Sequence, residues 1–130
     1  MSNNQAIMKA IAAALGAHGA WKLRLRTAVT TGSSNVTPAQ ARCDKSCEFG
    51  KWLHGHEIDA ATKHGMPFKV VSRLHMEFHQ CASHVLEKAI VGEKDGARSL
   101  LEGEFTQRSS KLGQALTKWR GELAAERKAA

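Results

Sequence analysis

Apolar residues recur at steps of three and four along most of this chain, the spacing of helices with one buried face. Ile7, Ile11, Ala14, Trp21, Leu25 and Ala28 form the first series and predict a helix from about Asn4 to about Thr30. His18 fills the gap in that series, so its side chain is expected on the buried face. Gly16 and Gly19 flank it; each weakens a helix by ~1 kcal/mol relative to alanine. Small residues there are expected to let another backbone come close. Thr31 to Asn35 read as polar loop. Thr37-Pro38-Ala39-Gln40 then has the form of a capping box with proline at the first helical position. It predicts a short helix, interrupted by Gly50 and finished by Gly55, with the stretch to His64-Gly65 irregular or one further short helix. Phe68, Val71, Phe78, Ala82, Val85 and Ala89 predict a third helix from about Pro67 to Val91, stopped by Gly92. His75 and His79 lie on or beside its stripe, one turn apart. Leu101, Phe105, Leu112, Leu116, Trp119 and Leu123 define a last helix from about 95 to 123, followed by a charged tail, 124–130, expected to fray. These elements predict an all-α protein: an up-down, four-helix-type bundle with a short extra helix carrying Cys47 to Trp52. With 130 residues the chain is expected to be one domain, 1–130, around one core.

Composition narrows the function classes. Hydrophobic residues make up 42%, enough for a packed globule, yet no apolar run reaches the ~18 residues that span a bilayer. The alanine-rich stretch Ala10–Ala17 is too weakly apolar for a signal peptide, so a cytoplasmic helix is expected there. The net charge is +7, but the cations are dispersed, tyrosine is absent, and no basic cluster is interleaved with aromatics. A solvated basic surface is expected rather than a nucleic-acid site. Cys43, Cys47 and Cys81 are an odd number and too few for a disulfide scaffold, which leaves metal ligands or buried thiols. A Cys43–Cys47 disulfide across one helical turn would be strained.

Histidines at i and i+4 can chelate one ion, because both project over the same turn. His75 and His79 have that spacing, and His18 lies on the apolar stripe of another helix. Buried imidazoles without partners are costly, and a shared metal would satisfy all three. Adding the Cys47 thiolate makes a full tetrahedral zinc set with net charge +1. On spacing alone, separately satisfied core histidines remain an equal alternative. Cys43 competes with Cys47, though only Cys47 is followed by Gly50 and Trp52. The sequence His75-Met76-Glu77-Phe78-His79 superficially suggests a zinc protease. Glu77, however, lies two residues after His75, ~200° around the helix, and four protein ligands leave no place for a water. No catalytic residue is expected, and the inward stripes carry no carboxylates for a di-iron site. His54, His56, His64 and His84 read as loop or surface residues, and Cys81 as a small buried hydrophobe.

These residues in this order resemble the chemoreceptor zinc-binding (CZB) domain family. Its pattern is a histidine shortly before a tryptophan (His18, Trp21), then Cys-x-x-Gly-x-Trp (Cys47, Gly50, Trp52), then His-x-x-x-His (His75, His79). The resemblance covers roughly 18–91. It implies one zinc per chain held by three histidines and one cysteine, and often a homodimer. It also implies cytosolic signalling, since such domains are attached to chemoreceptors and diguanylate cyclases. Family members sense zinc, or oxidants such as hypochlorous acid through the zinc-bound cysteine. No methyl-accepting coiled coil or cyclase motif occurs here, so the chain is expected to be a stand-alone member with a separate output partner or a fragment of something larger. Met1 and the early helix start favour the first. A zinc buffer or delivery protein without signalling output is the alternative; the Leu101-to-Leu123 stripe, read as a dimer surface, argues against it.

Overall fold

The apolar stripes fold into helices that bury them against one another. The computed structural model describes residues 3–129, and the order among them is α1 (Asn3–Thr31), three short helices α2 (Pro38–Arg42), α3 (Glu48–Leu53) and α4 (Ala60–His64), then α5 (Met66–Ile90), α6 (Lys94–Leu100) and α7 (Thr106–Ala129). A π-helical turn, Leu101–Phe105, joins α6 to α7 with right-handed helical dihedrals at Leu101 and Thr106. The described residues contain no strand, and none of their helices is long and apolar enough to cross a membrane. The expected all-α bundle is therefore present, with α1, α5 and the α6–α7 rod as its long members.

Ile7, Ile11, Ala14, Leu25 and Ala28 are all buried on α1, with Trp21 half-buried at the edge of the stripe. Gly92 ends α5 at φ 88°, the left-handed conformation that glycine alone adopts without a Cβ penalty. The Gly92 N–H donates to the Ala89 carbonyl at 3.3 Å and the Glu93 N–H to the Lys88 carbonyl at 2.9 Å, satisfying the last carbonyls of the helix. The capping box forms as expected: Thr37 Oγ1 accepts from the Gln40 N–H and Gln40 Oε1 from the Thr37 N–H.

Four expectations are corrected. The break in the second helix falls at Cys43–Cys47, where Cys43 is extended, while Gly50 lies inside α3. Gly16 and Gly19 admit no neighbouring backbone: a Cβ at either would meet nothing within 4 Å. The Leu101-to-Leu123 stripe is not a dimer surface. Leu101, Phe105, Leu112, Leu116, Trp119 and Leu123 are each at most 6% exposed, because the stripe faces the chain's own core. The tail expected to fray continues as helix to Ala129, and Ala130 lies outside the described residues, as does Met1.

Candidate metal centre

α1 carries His18 one turn beyond Ala14, and the His18 Nδ1–H donates back to the Ala14 carbonyl at 2.9 Å. On α5, His75 and His79 project over consecutive turns. The His79 Nδ1–H donates to the carbonyl of Ala41 on α2, also at 2.9 Å. Cys47 is the N-cap of α3, and its sulfur accepts the Gly50 N–H at 3.3 Å. Gly50 has to be glycine because a Cβ would sit 1.8 Å from the Asp44 carbonyl oxygen. The Cys43–Cys47 segment folds directly onto α3, and that contact aims the sulfur inward.

One ligand atom from each of His18, Cys47, His75 and His79 falls in a group with no separation above 4.8 Å. His75 Nε2 lies 3.1 Å from both His18 Nε2 and His79 Nε2. The Cys47 sulfur lies 3.4 Å from His75 Nε2 and 3.7 Å from His79 Nε2. Zinc bonds of ~2.0–2.1 Å to nitrogen and ~2.3 Å to sulfur at tetrahedral angles separate ligand atoms by roughly 3.3–3.6 Å. The separations among His75, its two histidine neighbours and Cys47, and between Cys47 and His79, lie within about 0.2 Å of those edges.

Proton counting gives the same answer. The carbonyl bonds of His18 and His79 place their protons on Nδ1, so both Nε2 lone pairs point at the centre. His75 can donate one Nε2 proton to only one of them, and its Nδ1 is buried without a partner. Lone pairs facing one another in a dry site are unfavourable, and a cation at their midpoint satisfies them together. The cluster can hold one zinc ion, with the Ala14 and Ala41 carbonyls fixing the tautomer and orientation of two histidines. Phe49 and Phe78 wall the centre, with ring centroids 5.9 and 5.0 Å from that of His18, and Trp21 stands 6.0 Å from His79. Trp52 stacks at a tilt on Phe49.

Burial, reinforced by the neighbouring histidines, pulls His75 down to about 2 and His18 to about 4; burial also lowers His79, against the hydrogen bond to Ala41. Each therefore stays neutral in the fold, while in the unfolded chain it takes up a proton below pH ~6.5. The unfolded state then binds more protons, so stability is intact above pH ~6.5 and lost as pH falls toward the folded values. Chelator-treated protein should lose about 1.4 kcal/mol per pH unit for each histidine still neutral, read as a falling denaturation midpoint between pH 6.5 and 4. His18→Ala should flatten that slope; a slope equal to the parent's would contradict the burial of His18. Burial likewise raises the Cys47 thiol, so ionised sulfur at neutral pH requires the charge of a bound metal.

The remaining candidates stand apart from the cluster. His54, His56, His64 and His84 are exposed, with His54 3.4 Å from Asp44. Cys43 is exposed, its thiol lowered by a hydrogen bond with Ser46. Cys81 is buried as expected, and burial pushes its thiol up to about 11. Glu77 points away from the centre and pairs with Arg108 at 2.9 Å. Sequence reasoning missed Ala14 and Ala41, whose contribution is a backbone carbonyl with no side-chain signature.

A family model described as the chemoreceptor zinc-binding domain matches residues 18–86, a span that contains all four converging residues. Neither the curated proteins nor the solved structures gave a match.

Proposed function

Because the chain belongs to the chemoreceptor zinc-binding domain family, we propose that His18, Cys47, His75 and His79 ligate its zinc within one sensory module spanning 1–130. Its stimulus is zinc level or oxidation of Cys47. The module acts in the cytoplasm, as a homodimer, on a chemoreceptor or diguanylate cyclase component. The cytoplasmic setting, the homodimer and the output partner rest on the family. A regulatory zinc-binding domain, rather than a catalytic one, is what the family describes.

The carrying observation is the unequal support of the four groups. His18 stands on a helix of 29 residues, and His75 and His79 on one of 25; Cys47 caps a helix of only six. A helix that short has no independent stability and is held by what it touches. Bound zinc supplies the positive charge that keeps the Cys47 sulfur ionised and nucleophilic at neutral pH. A groove of about 410 Å³ lined by Ala14, Ala17, His18, Trp21, Cys47 and Trp52, among others, leads from the surface to that sulfur. A small neutral oxidant such as hypochlorous acid can reach it there and convert the thiolate to sulfenic acid. The oxidised sulfur would be a poor ligand, so α3 would lose that anchor and be held by the buried Phe49 and Leu53, while three imidazoles remain on the long helices. That gives a two-position element which either stimulus can bias.

Oxidant treatment is therefore expected to raise hydrogen exchange across 43–53 while α5 stays protected. Cys47→Ala should bind zinc more weakly and show no further response to oxidant. If Cys47→Ala kept both the zinc affinity and the oxidant response of the parent, the sensing mechanism would be wrong. A shape and self-association indifferent to zinc, measured by sizing chromatography with and without chelator, would instead favour a zinc buffer.

A further inference from the structure

α5 and α7 pack antiparallel: Phe68, early on α5, meets Trp119, late on α7, while Glu77 meets Arg108. An open groove runs between them from the Glu77–Arg108 end to Met66 and Glu122. Ala115 and Lys118 line both halves, so the groove is continuous. At ~1.5 Å per residue, Met66 to Glu77 covers about 16 Å, or three turns of helix. The floor is apolar, formed by Val70, Leu74, Ala115 and Trp119, and Met66 is 69% exposed at one end.

The rims are basic. Arg73, Lys111 and Lys118 are exposed, and among the described residues none of them forms an ion pair. Arg108 in the same groove is neutralised by Glu77 at 2.9 Å and Glu104 at 3.5 Å, which leaves Glu122, in the Met66 half beside Lys118, as the remaining acid of the lining. We infer that this groove docks an amphipathic helix of a partner protein, with apolar residues along its buried stripe and Asp or Glu on both flanks. The apolar floor argues against nucleic acid, whose phosphates need cations and gain nothing from Val70 or Leu74. The basic rims argue against the same face of a second copy in this groove, since Arg73, Lys111 and Lys118 would meet their own like charges. None of the four metal-centre residues lines the groove, so the inference stands independently of the sensing mechanism.

The test is fluorescence anisotropy of a synthetic peptide of about four helical turns, leucine-striped and glutamate-flanked, with the full zinc-loaded chain. Saturable binding is expected, weakening about tenfold in the Arg73→Glu/Lys118→Glu variant and about tenfold again at high salt. A lysine-flanked peptide should bind at least about tenfold more weakly. Circular dichroism confirms that the variant folds, and the peptide comparison on the parent chain needs no variant. Equal binding of both peptides, tighter binding of a DNA duplex, or salt-sensitive self-association lost in the variant would each overturn the assignment.

Discussion

Replacing His75 with alanine is expected to weaken zinc binding by at least ~100-fold and to cost roughly 2–5 kcal/mol of zinc-free stability. No other member of the cluster is so central, with its Nε2 within 3.4 Å of the other three ligand atoms. The lower bound on affinity follows because loss of a mere orienting partner already costs ~10–100-fold, and here a converging group itself is deleted. The stability loss follows from removing a fully buried ring from a packed wall that includes Phe49, 5.2 Å away centroid to centroid. Loss of the unpartnered Nδ1 offsets part of that cost. Competition titration with a chromophoric chelator reads the first quantity, and urea denaturation in excess chelator reads the second. The exposed His54→Ala serves as the contrast and should fall within ~0.5 kcal/mol of the parent. One tightly held zinc per chain in His75→Ala would refute the assignment of this residue as a ligand.

Gly50→Ala should destabilise the protein by about 1–3 kcal/mol, although helix propensity alone favours alanine by ~1 kcal/mol. The added Cβ would lie 1.8 Å from the Asp44 carbonyl oxygen, 2.8 Å from its carbon and 3.0 Å from Lys45 Cα. All three are backbone atoms, so the Cys43–Cys47 segment must move as a unit and carry the sulfur with it. Zinc affinity should fall together with the melting temperature. Gly16→Ala and Gly121→Ala place a Cβ in open space on long helices and should have the opposite sign, a gain of about 0.5–1 kcal/mol each. A melting temperature for Gly50→Ala that rises like those of the two controls would mean that the segment does not pack on α3.

Much of this could be read from the chain alone, for a reason that particular elements make clear. The stripes of α1, α5 and α7 are buried where their periodicity places them, because a helix's apolar face depends only on spacing within that helix. The Thr37–Gln40 box and the Gly92 stop are equally local, satisfied within a few residues of themselves. His18 was legible as an inward-facing residue, and His75 with His79 as a chelating pair, on the same grounds. The Cys-x-x-Gly-x-Trp pattern marked Cys47 and Gly50 without supplying the reason for the glycine.

Periodicity states that a face is buried but not against what. The Leu101-to-Leu123 stripe therefore fitted an interface between two copies equally well, until α1 and α5 proved to cover it. Nor did spacing show that the second helix divides at Cys43–Cys47, since that division follows from the approach of Asp44 to Gly50. The convergence of the four groups, and the Ala14 and Ala41 carbonyls that orient two of them, depends on how α1, α2, α3 and α5 cross in space. The amino-acid sequence by itself determined which residues turn inward and which types could share a metal, because those are properties of one helix at a time. Only the tertiary structure decided that they meet within bonding range of a single ion, because that distance is set by packing between segments far apart along the chain.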